Sequence, residues 1–183
     1  MVKFVLVILA IAAFSFIKVD GQVSSADNLV GLNGKTAPAF VATSMEETVY
    51  DLSKLRNRIV VLNLWAIFCE PCIEEIPHLN SLADKYRDKG VVFLAPTPDK
   101  KMALAKFLEE NPFKYDVLPE SFGILRSYLP KDPENSGMTP FVFPVHVLID
   151  QKGIVVEHFW GYNKTTVSKL DNRIDELLSD KNG

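Results

Sequence analysis

The chain has 183 residues, 48% of them hydrophobic, which suits one domain with a sizeable core. Its formal net charge is −3, so composition excludes a broad basic face for nucleic acid. No internal repeat or long low-complexity segment interrupts it.

Residues 1–21 read as a targeting segment. Lys3 precedes an apolar run from Phe4 to Ile17. That run is shorter than the roughly 20 residues a membrane span needs but suits a signal peptide. Val19-Asp20-Gly21 offers a cleavage point, and an uncleaved membrane anchor is the alternative. With no cysteine here, a lipoprotein anchor is excluded. Residues 22–34 form a polar tether, and 35–183 the folded domain. Phe40 to Ala42 and Thr48 to Tyr50 predict a short hairpin, joined through Met45-Glu46-Glu47. Asp51 to Leu55 is a turn with apolar anchors.

The apolar run Ile59 to Leu64 predicts a buried strand. It leads into Trp65-Ala66-Ile67-Phe68-Cys69-Glu70-Pro71-Cys72, which holds both cysteines of the chain. Ile73 to Lys89 predicts a helix, with Ile76, Leu79, Leu82, Ala83 and Tyr86 at helical spacing and Pro77 as an expected kink. A C-x-x-C between a buried strand and a helix is the setting of thiol–disulfide exchange. Two cysteines three apart lie one turn apart on one helical face. The unpaired N–H groups and dipole of the helix start favour a thiolate at Cys69. Cys72, lying deeper, would resolve the mixed disulfide. Pro71 suits the first turn, where its missing N–H costs nothing. Glu70 places a like charge beside Cys69, which disfavours its thiolate and argues for a reductant. Glu75, three residues past Cys72, is placed to take a proton from it; the competing reading is a solvated glutamate that complements the helix dipole.

Gly90 ends that helix, and Val91 to Ala95 predicts a second buried strand. Thr97 to Lys101 is a loop, Met102 to Glu110 an amphipathic helix stopped by Asn111-Pro112, and Tyr115 to Leu118 a short edge segment. Ser121 caps a helix to Leu129. Pro130 to Thr139 is an irregular loop, either a harmless insertion or a lip on a substrate groove. Phe143-Pro144 precedes the strand Val145 to Ile149, the turn Asp150-Gln151-Lys152-Gly153 and the partner strand Ile154 to Trp160. A final helix spans about Thr165 to Leu178. Asn163-Lys164-Thr165 fits an N-glycosylation sequon, relevant only in a eukaryotic secretory pathway.

The run Val61-Leu62-Asn63-Leu64-Trp65-Ala66, then Cys69-Glu70-Pro71-Cys72, then Glu75 and Pro77, resembles the TlpA/ResA-like branch of the thioredoxin superfamily. The resemblance spans roughly Lys35 to Leu178. It implies an α/β thioredoxin fold, a mixed central sheet flanked by helices with an N-terminal β-hairpin extension. It implies an extracytoplasmic thiol–disulfide oxidoreductase, most simply a reductase of exported proteins, for example in cytochrome c maturation. Cys69 is then the nucleophile, Cys72 the resolving thiol and Glu75 the acid/base. Asn63 stands where cytoplasmic thioredoxins usually carry a buried aspartate, which leaves Glu75 as the proton carrier. Phe68 departs from the Trp or Tyr that many members carry before the first cysteine. The resemblance also makes Pro144 a cis-proline opposite the C-x-x-C, an isomer held by only about 5–6% of X–Pro bonds. It would offer the Phe143 backbone to a client strand. Trp65, Glu70, Pro71, Phe143 and Pro144 are thus the expected substrate-binding residues. No cofactor or metal is expected. Disulfide-containing exported proteins and an upstream membrane thiol donor are the expected partners of a monomer.

Two alternatives stay open. A thioredoxin-fold thiol peroxidase is one, although the P-x-x-x-T-x-x-C pattern is missing. A copper carrier using the C-x-x-C pair and His146 is the other. Strand alternation sets His146 on the opposite face from Val145, Val147 and Ile149, and the competing reading is a packed or half-exposed histidine.

Overall fold

The computed structural model describes residues 31–129 and 142–180. The leader, most of the tether and the loop over 130–139 lie outside the described residues. Two short strands, β1 (Val41–Thr43) and β2 (Val49–Asp51), pair antiparallel as a separate hairpin. The central sheet is built from β3 (Ile59–Leu64), β4 (Val91–Pro96), β5 (Asp116–Leu118), β6 (Val145–Ile149) and β7 (Val155–Trp160), in the order β5-β4-β3-β6-β7. β3, β4 and β5 run parallel, while β6 opposes both β3 and β7. This is the mixed sheet with an N-terminal hairpin that the resemblance implied.

Among the described residues, four α-helices complete the domain: α1 (Glu70–Tyr86), α2 (Lys101–Glu110), α3 (Phe122–Tyr128) and α4 (Lys164–Ser179). Their layering follows from alternation along β3. Val60, Leu62 and Leu64 point to one face, where they meet Ile124, Leu125 and Tyr128 of α3 and the hairpin residues Phe40, Ala42 and Tyr50. Ile59 and Val61 point to the other, against Leu79, Leu82, Ala83 and Tyr86 of α1 and Leu170 and Ile174 of α4. All six β3 residues are buried, because both faces are covered. Burying each Leu, Ile or Val contributes about 1.5–3 kcal/mol, which makes this strand the spine of the fold. The hairpin is tied to the sheet edge. Met45 donates its backbone N–H to the Val117 carbonyl at 2.9 Å, and the Tyr50 hydroxyl donates to Asp116 at 2.6 Å.

Some boundaries differ from expectation. α1 starts at Glu70 and ends at Tyr86, not over Ile73 to Lys89. Its start is early because Cys69 is the cap and Pro71 sits in the first turn. Its end is early because the chain turns over the next residues to Gly90, whose φ of +77° favours glycine. α1 remains one helix through Pro77. Ser121 occupies the cap position of α3, but its hydroxyl donates back to the Leu118 and Pro119 carbonyls instead of capping the helix. Asn163 caps α4, its side chain accepting from the Thr166 N–H at 2.8 Å.

Candidate active site

The two cysteines lie at the carboxyl end of β3, where the central strand gives way to α1. They are joined as a disulfide with a Cα–Cα distance of 5.3 Å. Cys69 is the N-cap of α1, and its Sγ accepts from the Cys72 N–H at 3.3 Å. A sulfur in that position faces the unpaired N–H groups and positive dipole end of the helix, which stabilise a thiolate after reduction. Cys72 is 1% exposed and Cys69 7%, so Cys69 is the cysteine nearer to a client. Glu70 and Pro71 are exposed beside the pair.

The Phe143–Pro144 peptide bond is cis, as the resemblance implied. Phe143 packs against the cluster that holds Trp65, Cys69 and Cys72. Its ring lies 6.2 Å from that of Phe68, which is 71% exposed. Pro144 is buried, its carbonyl accepting from the Gly161 N–H at 2.9 Å. Phe68 and Phe143 therefore make an apolar rim beside the disulfide.

Trp65 is a correction. It was expected to shape the substrate groove, yet it is wholly buried and presents no surface to a client. Its ring packs 4.7 Å from Phe113 and 5.4 Å from Phe107, and its Nε1 donates to the Ala95 carbonyl at 3.3 Å. The large apolar ring is worth more inside than at a wet groove. Trp65 acts on the site by anchoring the turn that presents Cys69.

A second anchor had no signal in the sequence. The Asp99 carboxylate Oδ2 accepts from the Ile67 N–H at 2.9 Å and from the Thr97 hydroxyl at 2.6 Å. The loop after β4 thereby holds the turn before Cys69. Hydrogen bonds to a charged group are worth about 1.5–3 kcal/mol. Asp99→Ala is expected to lower unfolding free energy by that amount and to slow client reduction. Urea denaturation and a turnover assay check this; unchanged stability and rate would show that the turn holds itself.

Beneath the disulfide lies a polar cluster in an otherwise apolar interior. Glu75 is wholly buried, which removes the solvated-glutamate reading. Asn63, on the α1 face of β3, is buried and donates from Nδ2 to the Tyr115 hydroxyl at 3.0 Å. Burial first, and the Glu75 charge second, push the Tyr115 phenol well above its ordinary pKa. His146 pairs with Asn63 across β3 and β6, so it points to the same α1 face. Its Nε2 stands 3.1 Å from Glu75 Oε2, with both side chains out of solvent. Neither group completes a well-aligned hydrogen bond with a described protein group. The sequence reading left His146 as a packed histidine or a metal ligand, and missed both this partner and Tyr115. Among the described residues no cluster of three or more His, Cys, Asp and Glu is arranged to hold a metal ion. His78 is exposed, with its ring 5.8 Å from Tyr162.

Comparisons with known proteins agree with this geometry. The AhpC/TSA family model matches residues 33–158. The thiol-disulfide oxidoreductase ResA of Bacillus thuringiensis subsp. konkukian is 31% identical over 146 residues, covering 79% of this chain and 78% of the relative. That of Geobacillus kaustophilus is 33% identical over 140 residues, covering 75% and 72%. Among solved structures, a Chlorobium tepidum protein described as a thiol:disulfide interchange protein DsbE superposes with a TM-score of 0.64 at 26% identity, covering 80% of this chain and 97% of its own. A Bacteroides thetaiotaomicron protein described as a protein disulfide isomerase does so at 0.67 and 25%, covering 80% and 90%. With a Cys69–Cys72 pair at the head of α1 and a cis-proline strand packed beside it, the chain belongs to the AhpC/TSA family as a ResA-like thiol-disulfide oxidoreductase.

Proposed function

We propose that this oxidoreductase works outside the cytoplasm as a reductase of disulfides in exported proteins, with Cys69, Cys72 and Glu75 as its catalytic residues. The observation that carries the reading is the wholly buried Glu75, one helical turn beyond Cys72. A carboxylate is not left in a protein interior without a use or a partner, because its desolvation is expensive. The apolar leader Phe4 to Ile17 and the ResA-named relatives support export, with the leader either cleaved or kept as an anchor. Among the described residues no helix is long and apolar enough to cross a membrane.

The reaction has two exchanges. The Cys69 thiolate attacks a client disulfide; one client thiolate leaves and takes a proton from water. Cys72 then passes its S–H proton to the Glu75 carboxylate and attacks Cys69 Sγ. The bond from Cys69 to the client breaks, the Cys69–Cys72 bond forms, and the second client thiolate departs. Two electrons pass from the two cysteines to the two client sulfurs. Glu75 afterwards yields its proton to solvent or to the departing thiolate. A membrane thiol carrier would return the dithiol. Phe68, Glu70, Pro71 and Phe143 would receive the client, whose extended chain suits strand addition along the Phe143 backbone beside the buried cis-Pro144.

The test is the reduction potential of the pair across pH, in wild type and Glu75→Gln. A potential near −270 mV or lower marks a reductant, whereas one near −120 mV reverses the direction proposed. A pH response that changes in the variant supports Glu75 as the proton carrier; an identical response removes that role. Hydrogen peroxide turnover separates this function from the peroxidase alternative.

A further inference from the structure

Glu75 is not alone in the core, and its neighbour exchanges no proton or electron in the two thiol–disulfide exchanges. Two ionisable side chains lie 3.1 Å apart, from α1 and β6, both essentially inaccessible to water. Among the described residues His146 is the basic group within ion-pair reach of Glu75. Neither completes a hydrogen bond with a described protein group. Other titratable groups facing the pair are Cys72, one turn before Glu75 on α1, and the Tyr115 hydroxyl from the approach to β5. In the sheet His146 is flanked by Asn63 on β3 and Phe159 on β7, which carry no charge.

We propose that His146 is a positioning residue for the proton step: its buried imidazolium is the counter-charge that keeps Glu75 a carboxylate. This rests on the reading that Glu75 takes the proton of Cys72. The physical case is charge balance in a poorly solvated site. Before transfer, the Glu75 carboxylate and the imidazolium cancel. After transfer, Glu75 is neutral and the imidazolium cancels the Cys72 thiolate. The proton moves, and the net charge of the pocket stays at zero. With a neutral residue at 146, the pocket would hold an uncompensated negative charge before and after, first on Glu75 and then on Cys72. An unpaired buried ion is strongly disfavoured, and a paired one much less so. The Glu75 carboxylate would then give way to its acid form, and the acceptor for the Cys72 proton would be lost. Tyr115 cannot replace the histidine, since its protonated phenol carries no positive charge.

The register of the sheet makes the pairing specific. β6 pairs with β3 so that Asn63 lies beside His146, and Val145 and Val147 face the opposite layer. One residue of slip would turn His146 away from α1 and bring a valine to Glu75.

The test compares reduction potential against pH in wild type, Glu75→Gln and His146→Gln, and follows the His146 imidazole by nitrogen NMR in the full chain. In His146→Gln the break in the curve that belongs to the pair is expected to move to higher pH, because the carboxylate has lost its counter-charge. In Glu75→Gln the break is expected to vanish. The NMR signal is expected to be that of an imidazolium at pH 7 in wild type and of a neutral imidazole in Glu75→Gln. If Glu75→Gln removes the break and His146→Gln leaves it in place, His146 has no part and the Glu75 reading stands. If Glu75→Gln changes nothing, both readings fall. A neutral imidazole in wild type at pH 7 also overturns the proposal, and that measurement needs no folded His146 variant.

Discussion

Cys72→Ala is expected to abolish multiple turnover and to trap the client on Cys69 as a mixed disulfide. The second exchange is intramolecular in the wild type. Attack by a well-oriented neighbouring group reaches effective molarities of about 10⁵–10⁸ M. Millimolar thiol from solution cannot replace that, so the loss is at least about a thousandfold. Cys69→Ala is expected to lose both turnover and the trapped adduct. Cys69 is the helix cap, its Sγ facing the helix N–H groups, and it is the less buried of the two cysteines. Turnover of a disulfide-linked peptide and mass spectrometry of the protein after mixing read both results. An adduct on Cys72 in Cys69→Ala, equal to the one on Cys69 in Cys72→Ala, would show that the order of attack is wrong.

Trp65→Ala is expected to cost about 3–5 kcal/mol of stability. The ring is wholly buried, held between Phe107 of α2 and Phe113, with Nε1 bonded to the Ala95 carbonyl of β4. Its removal would leave a cavity where α2, β4 and the turn before Cys69 meet. Domains of this kind are stable by only about 5–15 kcal/mol, so this one change takes a large part of the margin. Trp65→Phe keeps most of the apolar contact and is expected to recover most of the loss. Urea denaturation of the oxidised protein measures both. A loss below about 1 kcal/mol in Trp65→Ala would mean that the surrounding rings close over the gap. The same variant is expected to be a poor reductase even where folded, because the turn carrying Cys69 has lost its anchor. A turnover defect without a stability defect would return Trp65 to the client surface.

Much of the site was legible without coordinates. The C-x-x-C after an apolar run places two sulfurs at a helix start by local geometry alone, since spacing along a helix is a property of the backbone. The two-residue period of β3 decides which side chains enter which layer. The position of Pro144 before a strand and turn located the cis-proline through the resemblance. Boundaries moved by a few residues because caps and positive-φ turns, not hydrophobic pattern, end a helix.

The sequence by itself determined the strand–turn–helix that carries Cys69 and Cys72, the alternation that buries β3 on both faces, and the hairpin ahead of it. Only the tertiary structure decided what surrounds the sulfurs. Glu75 is buried because α1 lies on the face of Asn63 and His146, and that depends on β6 pairing with β3 in one register. Asp99 meets Ile67, Tyr115 meets Asn63, and Trp65 turns inward, all through contacts between residues far apart in the chain. Local spacing follows from the covalent chain and its hydrogen bonds. The choice of partner for a buried charge follows from which elements pack together, and that is settled by burial of the whole apolar surface at once.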